Sequence, residues 1–291
     1  MSSSWLFPIS HYEQGFTTAR LKEEHRGIIH VALADEALGV HKSSSKFPHK
    51  VVCPPTPQAA ADGERAPQIA WEAFFPRGSI NPGGEIPGGF GFYLGGPASF
   101  ASRLETATEV LFSYKVMFEE GWEWVKGGKL PGAFGGVGDS SYRCSGGRQD
   151  DRCKCFSLRL MWRAGGRGEL YSYIPLNKTN EDRMLEIPLS HKNPDFGFSV
   201  GRGAFTFPKG SWTTVAERVK LNTIGYADGE IELWINGTSI FTLRGLILRE
   251  DATSHIKGAH FQTFFGGKAP EWAAPKDLRA WFADVSGAII C

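Results

Sequence analysis

The chain has 291 residues, 41% hydrophobic and 22% charged, which excludes a disulfide-stapled miniprotein and a mainly disordered chain. Lys and Arg total 32 against 31 Asp and Glu, a net charge of +1, so no global field steers the protein toward nucleic acid or a membrane, and neither is expected as a partner. No stretch approaches ~18 consecutive apolar residues, so no transmembrane helix is expected.

Glycine (36) and proline (17) make up about 18% of the chain, against a usual ~12%. Together with 21 Phe and 9 Trp, this reads as many strands joined by turns. The start, MSSSWLFPISHYEQGF, lacks a basic segment followed by an apolar run and does not read as a signal peptide. A short helix is expected around Thr17–His25. Residues 41–67, rich in Pro, Ser and Ala, read as an exposed connecting loop.

Strand patterns dominate after that. Along Glu109–Phe118, Val110, Phe112, Tyr114, Val116 and Phe118 share one face, and Ser113 and Lys115 lie on the other. Along Cys155–Trp162, Phe156, Leu158, Leu160 and Trp162 form an apolar face, with Ser157, Arg159 and Met161 opposite, because side chains alternate along a strand. Gly165–Gly168 reads as a turn. Glu169–Ile174 then returns with Leu170 and Ile174 on one face and Tyr171 and Tyr173 on the other. Thr214–Leu221 groups Val215, Val219 and Leu221, Asp228-Gly229 signals a hairpin, and Glu230–Ile235 turns Ile231, Leu233 and Ile235 inward. Phe261–Phe265 and Ala280–Val285 complete the strand series. Helical periodicity is nearly absent after residue 100, and no internal repeat or second domain is evident. The expected fold is one all-β antiparallel domain of two packed sheets. Residues 1–69 are expected to supply N-terminal strands and the exposed loop, and residues 70–291 the core.

Five cysteines occur, at 53, 144, 153, 155 and 291, three of them in the loop CSGGRQDDRCKC. No two pairs stand at zinc-ligand spacing, so a metal site is not expected. A local disulfide from Cys144 to either Cys153 or Cys155 fits a secreted protein. The sequons Asn177-Lys178-Thr179 and Asn236-Gly237-Thr238 fit the same compartment. The protein is therefore expected to be extracellular, its leader not visible in this chain, and monomeric.

Three segments carry candidate chemistry. Trp122–Gly136 places Lys129 between glycines, which reads either as a tight ligand-approaching loop with the lysine at its head or as an ordinary glycine-rich turn with a solvated lysine. It lacks the Gly-Lys-Ser/Thr ending of a phosphate loop. Trp122 and Trp124 suit either a sugar ring or the core. Ser157-x-Arg159 and Tyr171-x-Tyr173 fall on the polar faces of consecutive strands. If those strands pair through the Gly165–Gly168 turn, one face presents a serine, an arginine and two phenols side by side. Arginine clamps a carboxylate with two parallel hydrogen bonds, and tyrosine exchanges protons and packs on rings.

The ordered series GGKLPGAFGG, FSLRLMWR and ELYSYIP, with FPRGSINPG before it and VKLNTIGYADGEIELWING and HFQTFFGG after it, resembles polysaccharide lyase family 14. The resemblance spans roughly residues 70–285; it leaves out the N-terminal 65 residues and the cysteine-rich insert. It implies a concanavalin-like β-jelly roll that cleaves 4-linked uronic-acid polysaccharide, alginate or β-1,4-glucuronan, by β-elimination, with no cofactor or obligatory metal. It implies catalytic roles for Lys129, Ser157, Arg159, Tyr171 and Tyr173, with Lys129 and one tyrosine dividing base and acid. Arg77, Asn81, Trp124 and Gln262 are the expected substrate-binding residues. A histidine that the family carries just before the serine finds no match, since Asp151–Lys154 occupies that stretch.

Two other functions fit such a sandwich. A lectin-like carbohydrate-binding module needs aromatic and polar contacts but no lysine–tyrosine proton relay. A glycoside hydrolase needs paired carboxylates on a strand, and Glu230-Ile231-Glu232 is the nearest stretch, better read as solvated.

Overall fold

The computed structural model describes residues 4–21, 26–44, 46, 48–57, 65–148, 150–193 and 196–291. In chain order the strands begin with β1 (Gln14–Thr17), β2 (Ile28–His30), β3 (Val40–His41), β4 (Lys50–Val52), β5 (Ala70–Phe75) and β6 (Phe90–Leu94). They continue with β7 (Glu109–Phe118), β8 (Gly127–Val137), β9 (Cys155–Arg163), β10 (Arg167–Tyr173), β11 (His191–Lys192) and β12 (Phe198–Thr206). The last are β13 (Trp212–Lys220), β14 (Gly229–Ile235), β15 (Thr238–Leu246), β16 (Ser254–Phe265) and β17 (Leu278–Ile289).

They form two sheets. The first runs β15-β14-β13-β7-β17-β1-β2, with β5 also beside β17 and β4 beside β5. The second runs β11-β12-β10-β9-β8-β16-β6-β3. Pairing is antiparallel except between β1 and β2. The result is a two-sheet sandwich, as the alternating sequence predicts, of the jelly-roll type that the resemblance implies.

Period-two patterning decides which side of each sheet meets the other. Val110, Phe112, Tyr114, Val116 and Phe118 of β7 face Phe156, Leu158, Leu160 and Trp162 of β9 within one continuous core. Aromatic rings fill it edge to face: Trp71 lies 5.0 Å from Phe92 and 5.4 Å from Phe261, an arrangement that ring quadrupoles favour. The outer side of the first sheet is covered by the N-terminal segment, where Leu6, Phe7 and Ala19 pack on Leu111, Trp234 and Ala288.

Several local expectations change. Thr17 closes β1 rather than opening a helix, because its backbone pairs with Ser286 of β17; residues 22–25 of the expected helix lie outside the described residues. The expected loop at 41–67 contains β4, whose Lys50–Val52 pairs with β5; residues 58–64 lie outside the described ones. Two short helices interrupt the strands after residue 97, α1 (Ala98–Leu104) and α2 (Lys178–Glu186). Asn177 caps α2 through its side chain, which accepts from the Asn180 amide at 2.8 Å.

Asp228-Gly229 ends a longer connection rather than forming a tight turn. The Asp228 carboxylate accepts there from the Thr223 amide (2.7 Å) and hydroxyl (2.8 Å). The tight hairpin is Asn236-Gly237 between β14 and β15, with φ of 50° and 75°, the pair of left-handed residues that a type I′ turn requires.

The expected glycine loop around Lys129 is instead β8, a central strand of the second sheet. Its glycines let neighbouring strands approach. A Cβ at Gly132 would stand 2.0 Å from the Leu158 carbonyl oxygen, and one at Gly128 2.0 Å from the Trp162 ring.

A titratable residue sits inside the sandwich. Glu217 on β13 is 2% exposed and accepts a hydrogen bond from the Ala133 amide at 2.8 Å. Burial pushes its carboxyl up to about 8, and the Ala133 hydrogen bond offsets only part of that. The folded chain therefore holds this proton over a pH range in which the unfolded chain, with an ordinary value near 4.5, has lost it. Stability from this group is full at low pH and declines as pH rises from there to about 8. In denaturant titrations at stepped pH, wild type should therefore lose stability relative to Glu217→Gln across that window; a constant difference would contradict the assignment.

Candidate active site

The second sheet turns its other side away from the core, and the candidate residues gather there. Register places Tyr171 opposite Arg159 and Tyr173 opposite Ser157, and Lys129 opposite Met161 on the neighbouring strand. Alternation then sets Lys129, Ser157, Arg159, Met161, Tyr171 and Tyr173 on one surface, with Leu158, Leu160 and Leu170 beneath them in the core. The face that the sequence predicts through the Gly165–Gly168 turn is present. β16 adds Gln262 and His260, the latter opposite Tyr93 of β6.

These side chains are tightly packed. Lys129 is 7% exposed and Arg159 2%. The Lys129 Nζ lies 3.5 Å from the centroid of the Tyr171 ring and 5.8 Å from that of Tyr173. It donates to the Met161 Sδ at 3.0 Å, a weak acceptor. Arg159 donates to Gln262 Oε1 at 2.6 Å, while its Nε and the Ser157 hydroxyl have no hydrogen-bond partner among the described residues. His260 stacks on Tyr93 with centroids 4.1 Å apart.

The segment between β8 and β9 folds over this face. Tyr142 packs against Tyr93 (4.8 Å) and Phe134 (5.5 Å). The guanidinium of Arg152 lies 4.7 Å from the Tyr173 ring and donates to the Phe196 carbonyl at 3.0 Å. The stretch that lacks the family histidine thus delivers an arginine to the phenol pair. A disulfide joins Cys144 to Cys155, one of the two expected pairings, and leaves Cys153 free and exposed.

Charge pairing separates two kinds of cation on this surface. Arg163 donates through Nε to Glu169 Oε1 at 2.9 Å, and Arg202 and Ser199 hold Glu169 Oε2 at 2.6 and 2.7 Å. Among the described residues, no carboxylate reaches Lys129 or Arg159. Burial, together with the Arg159 and Arg163 charges, holds the Lys129 amine well below the ordinary lysine range, with Glu169 opposing. Burial and the neighbouring Tyr173 push the Tyr171 phenol well up. Burial also raises Tyr173, while Arg159, Arg152 and a backbone hydrogen bond from Gly147 pull it down. Burial and the adjacent Arg159 and Lys129 hold His260 well below the ordinary histidine range. No three His, Cys, Asp or Glu side chains converge as a metal-ligand set among the described residues.

Three expected binding residues make their described contacts outside this cluster. Arg77 is exposed at the turn after β5, where its backbone amide donates to Asp277 at 2.8 Å. Asn81 stands beyond the strand ends, its amide donating to the Gly267 carbonyl at 3.0 Å. Trp124 packs against the core, 4.8 Å from Phe118 and 5.8 Å from Trp122, because its side of the chain faces the sandwich interior. The carboxylate pair Glu230 and Glu232 belongs to the other sheet, where Arg218 holds both at 2.6 and 3.6 Å. The sequence reading did not single out His260, although standing two residues before Gln262 puts it on the same strand face. Arg152 had no such signal, because the insert that carries it has no periodicity.

The chain matches the family model Polysaccharide lyase 14 over residues 64–285. Its fold is similar to that of the marine PL-14 alginate lyase from Aplysia kurodai, with 30% identity, 86% of this chain and 90% of that one covered, and a TM-score of 0.69. The alginate lyase vAL-1 from Chlorella virus shares the fold at 21% identity, covering 87% and 93% of the two chains with a TM-score of 0.65. The endo-β-1,4-glucuronan lyase from the fungus Trichoderma reesei does so at 12% identity, covering 86% and 89%, with a TM-score of 0.50. Among curated protein sequences nothing matches. The family model covers most of the chain, so this protein is a member of polysaccharide lyase family 14 and a lyase in the broad sense.

Proposed function

We propose that the protein cleaves a 4-linked uronic-acid polysaccharide by β-elimination, with alginate as the first substrate to test. The observation that carries the reading is the buried Arg159 guanidinium, with no described carboxylate partner, set beside the buried Lys129 amine. A buried charge is ordinarily paired, and a uronate carboxylate meets that requirement. The 30% identity to the Aplysia kurodai alginate lyase supports alginate ahead of glucuronan.

Arg159, with Gln262 beside it, binds and neutralises the uronate carboxylate, which makes charge at C5 tolerable. Groups preorganised toward such charge usually contribute most to catalysis. Lys129, whose burial and cationic neighbours hold its amine well below the ordinary lysine range, takes the C5 proton. The C5–H electron pair forms the C4=C5 double bond as the C4–O4 bond breaks. Tyr171, whose raised phenol keeps its proton, donates it to the departing O4. Ser157 supplies an unengaged hydroxyl to the sugar, and Tyr173 packs between Arg152 and Arg159. A lectin would require neither the neutral amine nor the protonated phenol beside it.

Incubation with polymannuronate, polyguluronate and polyglucuronate should give new ultraviolet absorbance from the unsaturated ends on at least one polymer. Binding with no such signal on any of them would favour the lectin reading. Lys129→Ala should remove the signal, with a loss of about 10²–10⁴-fold or more and an unchanged melting transition; wild-type turnover would exclude Lys129 as the base. Arg159→Lys should lower kcat/KM about 10²-fold, because a point charge does not reproduce the planar fork.

The pH profile supplies a third test. Arg163 depresses Lys129 electrostatically and Glu169 raises it, so Arg163→Gln removes a depressing charge and leaves Glu169 less neutralised. Both changes raise the Lys129 pKa. The acid limb of kcat should move to higher pH in that variant, and an unmoved limb would dissociate it from Lys129.

A further inference from the structure

β8 is irregular immediately beside Lys129. Its pairing with β9 jumps from Lys129 opposite Met161 to Gly132 opposite Arg159, which inserts one extra residue on β8. The ladder to β16 breaks over the same interval, between His260 and Phe264. Leu130 and Pro131 therefore have no register partner on either side. Proline has no amide to give and sits in a central strand only at such a bulge. The bulge sends Leu130 into the core and returns Gly132 to the face that carries Lys129.

The distortion turns two backbone groups into the sandwich interior, and side chains from the opposite sheet meet both. The Tyr114 hydroxyl on β7 donates to the Pro131 carbonyl at 3.1 Å. The Glu217 carboxyl on β13 accepts from the Ala133 amide at 2.8 Å. Tyr114 and Glu217 occupy core positions of their strands, flanked by Phe112, Val116, Val215 and Val219. Each breaks an otherwise apolar alternation, and each spends its polar end on the bulge.

We propose that Tyr114 and Glu217 are positioning residues for Lys129, reaching across the core to hold the bulge and thereby the depth at which β8 presents the lysine amine against Arg159 and the phenol pair. Neither touches the substrate. The assignment rests on the lyase reading above. Glu217 acts as a neutral acceptor, so glutamine should replace it, whereas leucine should leave the Ala133 amide unpaired. A displacement on the order of 1 Å at a reacting group costs about 10²-fold in rate.

The test uses the full chain and the alginate or glucuronan substrate on which wild type is active. Glu217→Leu is expected to lower kcat about 10²-fold and Tyr114→Phe about 10-fold, while Glu217→Gln stays within about 2-fold of wild type. A loss of folded enzyme would lower kcat without changing its pH dependence. Release of the bulge instead lets the lysine amine out of burial and raises its pKa, so the limb of the kcat profile that Lys129 governs should move to higher pH in Glu217→Leu and Tyr114→Phe, but not in Glu217→Gln. Unmoved profiles, or a glutamine variant as impaired as the leucine one, would overturn the proposal. If Glu217→Leu does not fold, Tyr114→Phe decides by the same shift. Should wild type cleave none of the polymers, amide hydrogen exchange of residues 128–134 still reads the bulge: faster exchange at Ala133 in Tyr114→Phe supports the clamp, and unchanged exchange refutes it. Failure of the clamp is thus separable from failure of the lyase reading.

Discussion

A buried lysine and a buried arginine share one sheet face, and no described acid neutralises either. Holding two like charges together out of water is costly, and the surroundings show how the cost is contained. The lysine amine gives up its proton readily, and the arginine gains a neutral amide from Gln262 and aromatic neighbours. Nearby, Arg163 and Arg202 illustrate the alternative, since both are bound to Glu169. The same sheet thus carries one ion-paired cluster and one with no described carboxylate, and the second is where we propose the chemistry.

That arrangement depends on the rest of the sandwich. A face can hold Lys129, Ser157, Arg159, Tyr171 and Tyr173 at fixed spacing only if the reverse face is anchored, and the alternating Phe156, Leu158, Leu160 and Trp162 provide the anchor. Glycines in β8 bring its backbone against β9, which sets the lysine beside residues contributed by the next two strands. Ordered strands carry the proposed functional groups, which suits a site that works by preorganised charge.

Much of this was legible from residue order. The alternation in Glu109–Phe118 and Cys155–Trp162 specified which side chains enter the core, because a period of two has a single register against one apolar layer. The turn at Gly165–Gly168 then brought Arg159 and Ser157 opposite the two tyrosines. Reading glycines as a loop failed at Lys129, because close strand packing and tight turning select the same residue. Asp228-Gly229 failed similarly: a strong local turn signal was outcompeted by a longer connection stapled through Thr223. Trp124 could not be assigned to sugar or core from type alone. Glu217 was silent because one carboxylate among valines carries no periodic signature, and its partner, Ala133, lies 84 positions away in the chain. Arg152 and Tyr142 reach the face from an aperiodic insert, so only three-dimensional placement reveals them.

That insert is covalently closed, with Cys144 and Cys155 separated by 11 positions. Closure removes conformations from the span before any glycan arrives, so the entropy of ordering it is settled during folding and not again at each encounter. Arg152, inside the closed span, therefore belongs to a fixed wall rather than a latch. The thiol–disulfide balance of the surroundings thereby becomes a determinant of how rigid that wall is.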